Sequence, residues 1–195
     1  MYEVSFVDDY KSSEFNPVAH KIRKNLLQYR CTNGNMIEHI RNLIRYEEWA
    51  DAHFLQAWEQ TPDAASDKEM LQRWAHVVTV QYAFFNILKG QEVTFSREDE
   101  FPPVSQLKIR TQSNHSQLKS LIQDYSSEDL EQRVFIPWLP DRQTTLTRFE
   151  ALIQIVMHTQ HHRAQNMTKL QTHGGKPGVI DWIMWVFKGK PEAKW

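Results

Sequence analysis

The stretch from about Ser66 or Asp67 to Lys89 constrains this chain most, because its apolar residues do not keep to one side. Leu71, Trp74, Val78, Tyr82, Phe85 and Leu88 recur at helical spacing, and Val77, Val80, Phe84 and Ile87 widen that stripe almost all round. A helix so apolar must be enclosed by others, as in the centre of a bundle. Gly90 is placed to stop it. Three more long helices are spaced to supply the enclosure. Met36, Ile40, Leu43, Ala50, Phe54 and Ala57 mark one from Met36 to about Gln60, with Asn35 as its cap and Thr61-Pro62-Asp63 as its end. A more polar one, using Leu107, Leu118, Leu121 and Ile122, runs from Ser105 to about Tyr125 after a crossing loop over Phe95 to Pro103. The last spans Thr147 to about His173 and stops at Gly174-Gly175, with Pro177 beyond.

Val134 to Thr145 is rich in β-formers and prolines and reads as an irregular loop or short hairpin. Val179 to Phe187 reads as a short apolar helix. The expected fold is therefore all-α: a four-helix bundle over residues 36–195 with a short extra C-terminal helix. Residues 1–35 read as a loosely attached N-terminal extension, linker-like at Lys11 to Pro17 and at best a short basic helix over Val18 to Arg30. Thr32-Asn-Gly-Asn35 breaks the chain before Met36, which would itself serve as a start.

Composition narrows the function classes. A formal charge of -1 offers no basic excess for nucleic acid. The N-terminus lacks the pattern of a secretory signal and no apolar run has the length of a membrane span, so a cytoplasmic protein without a membrane partner is expected. One cysteine, Cys31, excludes an internal disulfide and a cysteine-rich zinc knuckle. Any bound metal then falls to His, Asp or Glu. The chain lacks His-Glu-x-x-His, Glu-x-x-His, Gly-x-Ser-x-Gly and a phosphate-cradling glycine loop.

The candidate chemistry lies in His158-Thr-Gln-His-His-Arg-Ala-Gln165. On a helix His158 and His162 are i,i+4 neighbours on one face, which suits two nitrogen ligands of one divalent ion and equally describes a chance pair. His161 offers an alternative i,i+3 ligand or a supporting role. His76 is the only histidine of the second helix and shares a face with Val80, Ala83 and Ile87, which predicts burial. With His158 and His162 it would make three protein ligands and an open position, the arrangement of catalytic zinc. As a buried core histidine it would do none of this. His20, His39, His53, His115 and His173 sit in polar or terminal contexts and are expected to be solvated. Arg163 reads as an anion-binding group or as the salt-bridge partner of Glu47, Glu48 or Asp51. Trp138, Trp182 and Trp185 read as pocket lining or as packing.

Tyr46-x-x-Trp49-Ala50-Asp51, His76 and His158-x-x-x-His162-Arg163-x-Gln165 together resemble the DinB/YfiT-like metal-binding superfamily, and Gly174-Gly175 followed by Asp181 agrees. The resemblance extends over roughly Met36 to Phe187, and the His-His-Arg-x-Gln segment is its most specific part. It implies a four-helix bundle in which His76, His158 and His162 bind a divalent metal, nickel or zinc. Two positions depart from the family pattern. Ala164 stands where glycine is common, and Asp51 where asparagine is common; Asp51 is placed to orient or join the ligands. His161 and Arg163 fall beside them as supporting or substrate-facing groups.

Some members of such a family resemble transferases that join a low-molecular-weight thiol to an electrophile, and that is the leading functional expectation for this chain, with a small-molecule substrate and a homodimer as the expected partners. A divalent ion lowers the pKa of a bound thiol, and of a bound water equally. A metal-dependent hydrolase is therefore one alternative. A non-enzymatic, stress-related binding protein with a structural metal is the other.

Overall fold

A computed structural model of the chain describes residues 34–94, 101–138 and 145–195. Of the expected N-terminal extension over residues 1–35, residues 1–33 lie outside the described residues, as does most of the crossing loop, while Gly34 and Asn35 belong to the first long helix. Four long helices dominate the rest: α1 (Gly34–Glu59), α3 (Lys68–Leu88), α4 (Val104–Gln123) and α6 (Arg148–Thr172). Short helices α2 (Pro62–Ala65), α5 (Ser127–Leu130) and α7 (Trp182–Phe187) punctuate them. The proline-rich stretch is a hairpin, β1 (Arg133–Phe135) paired antiparallel with β2 (Thr145–Thr147), with Val134 opposite Leu146. The fold is thus the all-helical bundle expected.

Local chemistry sets the helix ends. The Asp67 carboxylate accepts from the backbone N–H groups of Glu69 and Met70, at 3.0 and 3.1 Å, and starts α3. Thr147 and Glu150 exchange bonds in a capping box that starts α6. Asn35 lies inside α1 rather than ahead of it, because that helix already begins at Gly34. At the end of α6, Gly174 takes a positive φ of 81°, and Gly175 donates its N–H to the Leu170 carbonyl at 2.9 Å. A side chain at Gly175 would collide with Leu170 and with the Thr61 hydroxyl, so the glycine there is a matter of space.

α1 packs against α4 and α6, and α3 packs against the same two, so α1 and α3 face each other across the diagonal. The apolar interior forms two clusters. One gathers Ile37, Ile40, Ile44, Phe84, Leu88, Leu118, Ile122 and Leu152. The other gathers Trp49, Phe54, Trp58, Met70, Trp74, Leu107, Leu170 and Trp185. Where one cluster gives way to the other along each helix, the buried residues turn polar: Glu47 and Asp51 on α1, Gln81 on α3, Thr111 and His115 on α4, Thr159, Arg163 and Asn166 on α6. This belt is satisfied internally, as burial of such groups requires. Gln81 donates to Thr159, Trp74 to Thr111, and Asn166 to the Met70 carbonyl.

No helix among the described residues is long and apolar enough to cross a membrane.

Candidate metal centre

α3 is apolar on every side but one. Gln72, His76, Thr79 and Tyr82 form its exposed stripe, so His76 is at the surface and not buried as its apolar neighbours suggested. Val77, Ala83, Phe84 and Ile87 take the buried directions around it. At His76 the stripe meets α6, where His158 and His162 emerge half-buried one turn apart. The three rings converge. Each residue offers one ligand atom, and these atoms lie within 4.8 Å of one another. His76 Nε2 and His158 Nε2 are 3.1 Å apart, and the ring centroids of His158 and His162 are 4.5 Å apart.

The electrostatics suit neutral donors. Burial, and then the neighbouring imidazoles His162, His76 and His161, press the His158 pKa down to about 4. Burial and His162 also lower His76. A metal ligand must present a lone pair and not a proton, so His76 and His158, both held toward the neutral form, are ready for a cation. Buried His158 Nδ1 has no hydrogen-bond partner among the described residues. His76 Nε2 and His158 Nε2 are close enough to face one cation together. The donor set therefore fits a borderline divalent ion, which imidazole favours over the hard cations that prefer oxygen.

The other expected site residues divide. His161 stays beside the triad, its ring centroid 5.0 Å from that of His162. Asp51 and Arg163 do not reach it. Arg163 points to the interior, where its Nη1 donates to Glu47 Oε2 and to Asp51 Oδ1, both at 2.6 Å. The second oxygen of Asp51 lies 2.8 Å from His115 Nε2. Asp51 thus orients a core histidine and not a candidate ligand, and Arg163 takes the salt-bridge role. Glu47 and Asp51 are the partners expected of it, while Glu48 pairs instead with Lys119 at 2.5 Å. The face of Arg163 lies over the Tyr46 ring.

His115 is 3 % exposed, against the expectation of a solvated residue. The signal was available: Leu107, Thr111, His115, Leu118 and Ile122 follow one helical stripe, and all are buried. His53 and His173 are also not free in solvent. His53 Nδ1 lies 2.8 Å from the Trp49 carbonyl, and His173 Nε2 lies 2.9 Å from Asp67. His39 is exposed as expected. The three tryptophans pack away from the triad: Trp185 is fully buried, Trp182 meets Tyr46 edge-on, and Trp138 meets Phe84 edge-on. A groove of about 680 Å³ does adjoin the triad, between α3 and α4, and His76 is part of its wall. Tyr82, Phe101 and Ile109 give it apolar surface, and Thr79, Ser113 and Asn114 give it hydrogen-bonding groups. Another open depression lies on the outer face of α6, over His161, Ala164 and Gln165.

Fold and site together define a helical-bundle protein with a surface three-histidine group that could hold a divalent metal. A family model of the DinB superfamily matches residues 46–165, from Tyr46 through Gln165. The chain belongs to the DinB superfamily. No curated protein matches it.

Proposed function

We propose that this protein is a metal-dependent transferase that joins a low-molecular-weight thiol to an electrophilic carbon, with nickel or zinc held by His76, His158 and His162. The observation that carries this reading is the convergence of three ligand nitrogens at a rim that opens beside a groove. Three protein ligands leave coordination positions for a substrate. A divalent ion there would supply a lowered thiol pKa and so a larger thiolate fraction near neutrality. The chain's own residues do the rest. The imidazoles contribute no negative charge, so the ion keeps its full attraction for an anionic sulfur. Thr79, Ser113 and Asn114 offer hydrogen bonds to a polar thiol, and Tyr82 and Phe101 cover its apolar parts.

Sulfur is favoured over water by the charge of the site, because among the described residues no anionic group beside the triad competes with a thiolate for the ion. The described hydrogen bonds of the triad run to imidazoles and to Gln165, and none to Asp or Glu. A structural role for the ion is disfavoured by position, since the triad lies outside both apolar clusters. The test is conjugation. Protein loaded with zinc or nickel is given a small thiol and an electrophilic chromophore, and adduct formation is followed with and without chelator. Chelator-sensitive turnover that His158→Ala abolishes is the expected result. Metal uptake without turnover across glutathione-like and sugar-linked thiols would leave the non-enzymatic binding protein as the better reading; ester hydrolysis in place of conjugation would favour the hydrolase.

A further inference from the structure

We propose that Gln165 is a positioning residue that locks His162 in the tautomer able to bind a metal. The proposal rests on the reading of the triad as a metal centre. Gln165 is exposed on the outer surface of α6, within one turn of two histidines. Its Oε1 lies 2.9 Å from His162 Nδ1, and its Nε2 lies 3.1 Å from His161 Nε2. Both are side-chain contacts along one helix, at i,i+3 and i,i+4 spacing, so the helix itself sets their geometry.

An amide side chain has one accepting end and one donating end, and this fixes what each ring must present. The carbonyl oxygen can only accept, so His162 carries its proton on Nδ1 and donates it there. That leaves a lone pair on Nε2, the atom free to serve as ligand. The amide nitrogen can only donate, so His161 presents a lone pair on Nε2 and carries its own proton on Nδ1. The reverse amide orientation would demand a lone pair on His162 Nδ1. The proton would then sit on Nε2, where the ligand lone pair has to be. One amide orientation is compatible with ligation through Nε2 and the other is not.

His161 is the other half of the arrangement: as an acceptor at Nε2 it keeps the amide nitrogen on its own side, away from His162. His161 therefore enters the site through Gln165: it orients the amide, and the amide orients the ligand. Histidine ligands commonly have such an outer hydrogen-bond partner, and its loss costs 10- to 100-fold in metal affinity. Here the partner is an exposed amide in place of a carboxylate or a backbone carbonyl, and it comes from the same helix as the ligand.

The test separates tautomer from affinity. In metal-free protein with ¹⁵N-labelled histidine, the His162 ring should show a protonated Nδ1 and an unprotonated Nε2. Gln165→Ala should shift it toward the Nε2–H form and weaken Zn²⁺ binding about 10- to 100-fold in chelator competition, with an unchanged melting temperature before metal is added. Gln165→Glu, which can still accept from Nδ1, should keep the tautomer and keep the affinity within a few-fold of wild type. His161→Ala should move the tautomer part of the way. Two results would overturn the proposal: an unchanged His162 tautomer in Gln165→Ala, or equal loss of Zn²⁺ affinity in the Ala and Glu variants. If wild-type protein takes up no Zn²⁺, the metal reading fails, but the tautomer of the metal-free protein still decides the positioning role.

Discussion

His76 and His158 are 82 positions apart in the chain, yet their Nε2 atoms lie 3.1 Å from each other. That approach is made by packing of α3 against α6. The core beneath is complete, with two apolar clusters and a satisfied polar belt. Metal-free protein should therefore show the helical content of the loaded form by circular dichroism. His158→Ala should keep that content and lose affinity by at least about 100-fold, more than an outer partner's 10- to 100-fold. Ion at 100 times its dissociation constant should stabilise the wild type by about 2.7 kcal/mol. A chain that unfolds when the metal is removed would contradict this account.

Acid should act on the triad in a defined window. The ordinary histidine value is 6.5, and His158 is held down to about 4, with His76 lowered too. Below about 6.5 the unfolded chain takes up a proton that folded His158 refuses until about pH 4. The contribution is thus fully present above pH 6.5 and is lost progressively as the pH falls from 6.5 to 4. Thermal melts of metal-free protein across that range should fall more steeply for the wild type than for His158→Gln. Identical slopes would refute the assignment. Asp67, whose carboxyl is held low chiefly by its bond to His173 against the cost of its partial burial, acts below this window; that contribution is lost only as the pH falls under the carboxylate range.

Arg163 is the member of the motif whose loss should destabilise the fold most. Glu47 and Asp51 are 2 % and 0 % exposed, and Arg163 is the cation between them. Burial, and with it the neighbouring Asp51 carboxylate, pushes the Glu47 carboxyl up, while Arg163 opposes the shift. Arg163→Ala leaves these acids without their guanidinium and should cost about 3–5 kcal/mol in urea unfolding. Combining Arg163→Met with Glu47→Gln and Asp51→Asn should recover much of that loss, because no unpaired charge is then buried. A single Arg163→Ala within 1 kcal/mol of wild type would show that water reaches the belt.

Gly175→Ala tests the close turn after α6. The new methyl would meet the fully buried Leu170 side chain and the Thr61 hydroxyl. Destabilisation of about 1–3 kcal/mol is expected, measured by thermal or urea unfolding. Gly90→Ala provides the contrast, with open space around it and only its φ of 69° to strain.

The helices were legible in the chain because each buries a stripe, and a stripe leaves its period in the sequence. α3 and α6 begin and end within about two residues of their caps and glycines, since Asp67, Gly90, Thr147 and Gly174 act locally. What could not be read was direction. An almost wholly apolar helix does not disclose which narrow side faces water, so His76 looked buried. His115 looked solvated because its immediate neighbours are polar, although its spacing from Leu107, Leu118 and Ile122 places it inside. Asp51 and Arg163 stand in the motif beside the ligands, which suggests the site, while the sequence equally offers Arg163 a salt bridge to Glu47, Glu48 or Asp51. How α1 meets α6 selects Glu47 and Asp51. Gln165 lies within the motif itself, and only the rotamers of two histidines give it a role.

α6 carries ligands and ion-pair partners on the same turns, with His158 and His162 outward and Thr159 and Arg163 inward. A rotation of that helix by one residue would withdraw Arg163 from Glu47 and Asp51 and swing the imidazoles off His76. The belt therefore acts as an index pin. Any folded molecule that has seated its buried charges has also aimed its ligands, so selection against misaligned sites happens during folding, before a metal ion arrives.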